Sequence, residues 1–308
     1  MLIMEALQWA NDVLKRQTDL TNRLDSPMLD AEVLLSAVLE VNKTWLFTHL
    51  DYELKTDQNE RYRESVNRRA THEPVAYIVG SREFYKRDFA VNRFVLIPRP
   101  ATEVLVEHAL QISSSVISPI SPDFKISSVL FADIGTGSGA IAVTLATESK
   151  LPVIATDTSK QALVIAKTNA HKHHVEELVD FQHGNLAEPI IKIFKSLGVQ
   201  KPFQHLILCA NLPYLSEKQI DTGQRDVRDF EPREALVAGH DGLDAYWNLF
   251  RQLKQNRSVL PERVTTLIEI DPSQNLSIQN LIRHAFPHSS PQITNDLESL
   301  PRVVITEI

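Results

Sequence analysis

The residues best equipped for chemistry in this chain lie in two short stretches, Asp133-Ile134-Gly135-Thr136-Gly137-Ser138-Gly139 and Asn211-Leu212-Pro213-Tyr214. The first closes the apolar run Val129–Ile134 and opens into Ala140-Ile141-Ala142-Val143, which reads as a strand, a glycine turn and a helix start. Glycines permit the tight turn and let backbone approach a ligand, and the free N–H groups of a helix start favour an anion. Asp157 ends the next apolar run, where a carboxylate can accept hydrogen bonds from ribose hydroxyls. The second stretch follows Leu206-Ile207-Leu208-Cys209, at the carboxyl end of a strand, the place where open α/β sheets bind ligands. An asparagine oxygen and the carbonyl of the next residue can both accept hydrogen bonds from one NH₂ group, and a tyrosine ring can lie against a planar group. Two such bonds fix a nitrogen and aim its lone pair, and positioning of this kind contributes roughly 7–11 kcal/mol in well-oriented reactions.

The elements that must hold these residues alternate along the chain. Apolar strands at 129–134, 153–157, 179–183, 205–209 and 264–270 are separated by helical patterns at 140–149, 159–173, around 187–197, around 242–254 and 274–285, with a closing strand pair near 291–295 and 303–308. Strands separated by helices form βαβ units, so the predicted fold is α/β, a Rossmann-like, doubly wound and mostly parallel sheet. Ahead of it, residues 2–70 hold no glycine and repeat apolar residues at helical spacing, as in Leu29, Val33 and Ala37. Ser26-Pro27 and Asp57 supply helix starts, which predicts a small domain of three or four helices. Residues 75–95 turn to β-branched and aromatic types around Gly80 and read as a hairpin-like connector, and residues 113–128, rich in Ser, Pro and Ile, read as a loop. The expected partition is a helical bundle at 1–74, a linker at 75–100 and the α/β domain at 101–308.

Composition narrows the classes. With 32 Lys+Arg against 39 Asp+Glu the net charge is −7, and the chain lacks the positive field that draws proteins onto phosphate backbones. A hydrophobic fraction of 43% suits a folded globular protein. Cys209 is the only cysteine, which excludes an internal disulfide and points to a reducing compartment. The start Met1-Leu2-Ile3-Met4-Glu5 has no basic region followed by an apolar run, so a cytoplasmic location is expected, together with a monomeric state. His171, His173 and His174 fall near a helix end and read as solvated surface, with no metal expected. Cys209 reads as a buried small hydrophobe, Trp9 and Trp45 as core or rim aromatics, and residues 61–69 as a solvated basic helix face.

The glycine spacing is Gly-x-Gly-x-Gly, where a dinucleotide fold has Gly-x-Gly-x-x-Gly. That variant is associated with S-adenosylmethionine, whose anionic end is an amino-acid carboxylate. Asn211-Leu212-Pro213-Tyr214 resembles the Asn-Pro-Pro-Tyr type motif of methyltransferases that act on planar amide or amine nitrogens. Glu73-Pro74-Val75-Ala76-Tyr77-Ile78, then Glu83-Phe84-Tyr85, then Val95-Leu96-Ile97-Pro98-Arg99-Pro100-Ala101-Thr102-Glu103 are similar to the linker of the PrmC/HemK family, the peptide chain release factor N5-glutamine methyltransferases. Asp226-Val227-Arg228, Phe230-Glu231-Pro232-Arg233 and Asp241-Gly242-Leu243-Asp244 resemble the segment that follows that family's acceptor motif. The resemblance spans nearly the whole chain, from Asp30-Ala31-Glu32 in the helical region to Glu269 and Arg302-Val303-Val304.

The resemblance implies an enzyme with a class I S-adenosylmethionine-dependent methyltransferase domain and a helical domain that helps to hold a release factor. Gly135, Thr136, Gly137, Ser138 and Gly139 would line the cofactor, Asp157 would take the ribose, and Asn185 and Leu186 would lie near the adenine. Asn211 would face both cofactor and substrate, and Asn211, Leu212, Pro213 and Tyr214 would grip the glutamine of the Gly-Gly-Gln loop, with Asn211, Pro213 and Tyr214 as catalytic residues. The implied partner is a class I release factor, with neither membrane nor nucleic acid. A sulfonium methyl is already activated, so alignment and desolvation suffice and no covalent intermediate is expected. Three positions depart from the family pattern. Leu212 replaces a proline ring, although Pro213 still biases Leu212 to extended backbone. Asn185 stands where an acid often meets the adenine amino group, and Ala101 replaces an acid beside Thr102. The rival readings are a nucleic-acid adenine N6-methyltransferase, which a salt-insensitive reaction on protein would exclude, and a non-catalytic S-adenosylmethionine-binding protein, which a turnover assay beside calorimetry would separate.

Overall fold

The computed structural model describes residues 1–16, 24–116, 129–198 and 202–308. These residues fall into two compact units, one formed by 1–81 with 222–231 and the other by 82–221 with 232–308.

The first unit is helical: α1 (Ile3–Arg16), α2 (Pro27–Leu39), α3 (Lys43–Thr48), α4 (Thr56–Ala70) and α5 (Val75–Val79). Ile3, Ala6, Leu7, Ala10 and Leu14 recur at helical spacing on α1 and share a core with Leu34 and Leu35 of α2 and Tyr62 and Val66 of α4. The start of α2 at Ser26-Pro27 is the one expected. Arg69, buried at the end of α4, donates to Asp30 Oδ2 and to Asp226 Oδ2, each at 2.7 Å. That pair of bonds ties residues 222–231 to the helical unit although they follow the acceptor motif in the chain. The unit therefore runs past residue 74 and takes in a distant segment, which differs from the expected partition. Residues 75–79 are helical where a hairpin was expected: Pro74 occupies the N-cap, and Gly80, in the left-handed region, donates its N–H back to the Ala76 carbonyl at 2.8 Å.

The second unit opens with the hairpin β1 (Ser81–Phe84) and β2 (Arg87–Ala90), turned by Tyr85 and Lys86 at positive φ, with the Tyr85 N–H held by Glu103 Oε1 at 2.8 Å. Helix α6 (Thr102–Val116) extends into the region expected to be a loop, and there Ser113, Ser114 and Ser115 return their hydroxyls to carbonyls three residues back. The rest of that expected loop, residues 117–128, lies outside the described residues. Then follow β3 (Val129–Ile134), α7 (Ala140–Ser149), β4 (Val153–Asp157), α8 (Lys160–Lys172), β5 (Val179–His183), α9 (Glu188–Leu197), β6 (His205–Ala210) and α10 (Glu217–Asp221). After α11 (Arg225–Phe230), inside the segment of the helical unit, come α12 (Asp244–Gln255), β7 (Arg263–Glu269), α13 (Asn275–Ala285), β8 (Gln292–Asn295) and β9 (Pro301–Glu307).

The sheet has seven strands in the order β5-β4-β3-β6-β7-β9-β8, with β3 to β7 parallel and β9 antiparallel to both its neighbours. Every residue of β3 and β6 is buried, as expected of central strands covered on both faces. Alternate side chains divide between the faces. Leu130, Ala132, Leu206 and Leu208 pack with residues of α9, α12 and α13, while Phe131, Ile207 and Cys209 pack with residues of α6 and α7. The winding direction reverses between β3 and β6, which opens a crevice at the carboxyl ends of these strands.

Candidate active site

A cavity of about 290 Å³ occupies that crevice. Its wall brings together Gly135, Thr136, Gly137 and Ser138 after β3, Asp157 at the end of β4, Asn185 and Leu186 after β5, and Asn211, Leu212 and Pro213 after β6. Two residues expected at the site are not in this wall. Gly139 caps α7 and is pressed against Ala166 of α8, and Tyr214 turns its hydroxyl away to Glu269. The wall also includes Phe94, Pro98, Arg99 and Thr102 from the approach to α6, and Asn248 from α12.

The glycine loop is held from below and from both sides. Asp157 Oδ2 accepts the Gly137 N–H at 2.8 Å, and Oδ1 accepts the Ser159 N–H at 2.8 Å. A carboxylate offers about four acceptor sites, so both oxygens keep capacity toward the cavity. Burial raises the Asp157 carboxyl above its ordinary range, opposed by the Ser159 and Gly137 N–H groups. Asp133 is fully buried beneath the loop; its Oδ2 accepts the Thr136 hydroxyl at 2.6 Å and the Ala142 N–H at 3.1 Å, and Oδ1 has no partner among the described residues. Burial pushes this carboxyl up to about 7. Asn169 of α8, also fully buried, donates to the Ser138 carbonyl at 2.8 Å and exchanges bonds with Ala90 of the hairpin. Leu186 sits at φ 53°, a conformation costly for a leucine; its carbonyl accepts the Thr156 hydroxyl at 2.9 Å and the next N–H, of Ala187, is held by Gln252 at 2.9 Å.

The Asn211–Tyr214 loop is anchored on Glu269, the last residue of β7, at 1% exposure. Glu269 Oε2 accepts the Thr102 hydroxyl at 2.6 Å, and Oε1 accepts the Tyr214 hydroxyl at 3.3 Å. Thr102 Oγ1 in turn accepts from Asn211 Nδ2 at 3.1 Å. Burial raises the Glu269 carboxyl, opposed by Thr102, Arg302, Tyr214 and Arg99. Leu212 is buried, and its N–H donates at 3.3 Å to the Tyr246 hydroxyl, which donates to the Glu269 carbonyl. A proline at position 212 has no N–H to give, so the leucine replaces the stiffness of a ring with a hydrogen bond. The end of the loop is fixed by Gln274, whose Nε2 donates to the Tyr214 carbonyl at 2.9 Å and to the Asp241 carbonyl at 3.0 Å. Gly242 must be glycine here, since a Cβ would lie 2.0 Å from the Tyr214 carbonyl oxygen. Cys209, two residues before Asn211, is buried with its thiol pushed up by that burial, which suits packing and not nucleophilic attack.

The two loops are marked in the sequence, while of their supports Thr102 and Glu269 enter only through the family resemblance and Tyr246, Asn169 and Gln274 not at all. These side chains act over long separations, 167 residues for Thr102 with Glu269, so no local pattern shows what they hold. The histidines near the end of α8 have separate partners: His171 Nδ1 lies 3.0 Å from Glu176 Oε1 and His173 Nε2 lies 3.1 Å from the Asp88 carbonyl. Among the described residues no helix is long and apolar enough to cross a membrane.

Comparison with known proteins gives the chain its relatives. Residues 5–80 match the PrmC N-terminal domain model and residues 113–205 the methyltransferase small domain model. The chain is 33% identical to the release factor glutamine methyltransferase of Bacillus cereus over 100% of both chains. It is 35% identical to that of Bacillus subtilis, covering 98% of this chain and 96% of the relative. Among solved structures, the hMettl16 catalytic domain in complex with MAT2A 3'UTR hairpin 6 superposes with a TM-score of 0.52 at 12% identity, over 82% of this chain and 81% of that one, a likeness of fold alone. Identity at this level along the full length is decisive: the chain belongs to the release factor glutamine methyltransferase family.

Proposed function

We propose that this chain transfers a methyl group from S-adenosylmethionine to the side-chain amide nitrogen of the glutamine in the Gly-Gly-Gln loop of class I peptide chain release factors, in the cytoplasm. The observation that carries this reading is that Asn211, Leu212 and Pro213 line the same cavity as the glycine loop and Asp157. The full-length similarity to curated release factor glutamine methyltransferases supports the choice of substrate.

The residues present fit the cofactor. A Cβ on Gly137 would meet nothing closer than the Gly135 carbonyl oxygen at 4.0 Å, so bare backbone borders open space where a side chain would intrude. The start of α7 suits an amino-acid carboxylate, Asp157 suits ribose hydroxyls, and the Asn185 amide oxygen can accept from an adenine amino group without adding charge. When bound, S-adenosylmethionine supplies an electrophilic methyl whose departure leaves a neutral thioether. The protein's part is to deliver the acceptor. Asn211 Oδ1 and the Leu212 carbonyl accept the two N–H bonds of the glutamine amide, hold its nitrogen in line, and keep water from the gap. As the N–C bond forms the methyl–sulfur bond breaks, the proton displaced from the nitrogen leaves along one of these two hydrogen bonds to bulk solvent, and no side chain is needed as a covalent carrier. The Tyr214 hydroxyl, given to Glu269, braces the loop and fixes the ring whose face is to lie against the planar amide.

Asn211→Ala tests the reading. It should abolish methyl transfer to a release factor while calorimetry gives nearly unchanged affinity for S-adenosylmethionine; transfer at the wild-type rate would remove Asn211 from the mechanism.

A further inference from the structure

We propose that Thr102 and Glu269 are positioning residues that set the polarity of the acceptor site, locking the Asn211 amide with its nitrogen inward so that its oxygen meets the substrate. This rests on the reading that Asn211 holds the glutamine NH₂ group. Glu269 Oε2 accepts the single Thr102 hydroxyl proton at 2.6 Å; burial opposes the ionised, accept-only form of this carboxyl, and the Thr102 and Tyr214 hydroxyls with Arg302 and Arg99 favour it. Thr102 Oγ1 can then only accept from its other neighbour, and Asn211 Nδ2 donates to it at 3.1 Å. The reversed amide would set Asn211 Oδ1 against the lone pairs of Thr102, two acceptors without a proton between them. Tyr214 gives its proton to the other Glu269 oxygen at 3.3 Å, so the second end of the motif carries the same sign. Thr102 and Glu269 are both nearly inaccessible, at 4% and 1% exposure, which limits rescue by solvent.

The consequence is a rule for substrates. The site offers acceptors, so it takes a group that brings N–H donors and rejects one that brings lone pairs, such as the carboxylate of a glutamate in the same loop.

Four variants test this, each compared with wild type for transfer to a release factor and for cofactor affinity by calorimetry. Thr102→Val should lower kcat by about 10- to 100-fold, the effect of an amide freed to turn the wrong way, with cofactor affinity little changed. Thr102→Ser restores the hydroxyl and should stay within about threefold of wild type. Asn211→Asp should be nearly inactive, since its second oxygen faces the lone pairs of Thr102. Adding Glu269→Gln to Asn211→Asp should recover activity, because the glutamine can donate to Thr102 and let its hydroxyl turn toward the aspartate. A role in packing alone predicts the opposite, a further loss in the double variant.

Thr102→Val at the wild-type rate, or a double variant no better than Asn211→Asp, overturns the proposal. The double-variant comparison decides it if Thr102→Val fails to fold. Wild-type protein that does not methylate a release factor, or an active Asn211→Ala, overturns the underlying reading instead. Normal wild-type transfer with an inactive Asn211→Ala and a normal Thr102→Val sinks the polarity assignment alone.

Discussion

Leu212 lies directly against Gly135: a methyl group added to the glycine would come within 3.0 Å of Leu212 Cδ2. The loop that follows β6 and the glycine loop that follows β3 are thus packed on each other. Gly135 also has φ +72°, so Gly135→Ala combines backbone strain with a clash. The strain alone costs about 1–2 kcal/mol, and the enzyme should lose both cofactor affinity and turnover. Thermal unfolding beside calorimetry checks this; a variant with wild-type affinity would separate the two loops.

The hydrogen bond from the Leu212 N–H to Tyr246 makes a second prediction. Tyr246→Phe strands a buried N–H and the Glu269 carbonyl, and should destabilise the protein by about 1–3 kcal/mol. In a Leu212→Pro background there is no N–H to strand, so the same change should cost less. A double-mutant cycle in urea measures the coupling, and strict additivity would contradict it.

Asp133 predicts how stability varies with pH. Burial lifts its carboxyl from 3.8 to about 7, so the neutral form is favoured in the folded state. A raised folded-state pKa contributes stability that is fully present below the unfolded value near 3.8 and is lost as pH rises through about 7. Glu269 is raised as well and adds in the same direction. Asp133→Asn keeps an oxygen for Thr136 and Ala142 and removes the titration. Melting curves of the cofactor-free protein from acid to neutral pH should therefore show a steeper decline for wild type than for the variant. Parallel curves would contradict the assignment.

The glycine loop and the acceptor motif were readable because each is a run of neighbouring residues placed by a strand end, and strand periodicity survives in sequence. Their supports were not. Glu269, Thr102 and Tyr246 meet only after the sheet is wound, and Asn169 joins the hairpin to the glycine loop across 79 residues on one side and 31 on the other. Residues 75–79 have the β-branched composition of a strand, but the Pro74 and Gly80 boundaries close a helical turn. Residues 113–115 have the serine content of a loop, but each hydroxyl finds a carbonyl of the helix backbone. The attachment of residues 222–231 to the helical unit depends on Arg69, a residue that read as part of a solvated basic face and is in fact buried between two acids.

The proposed acceptor is a Gly-Gly-Gln glutamine. The most direct measurement incubates the enzyme with methyl-labelled S-adenosylmethionine and a class I release factor, either intact or with that glutamine replaced by alanine. Label should appear on the intact factor and be absent from the replaced one; equal labelling of both would contradict the assignment.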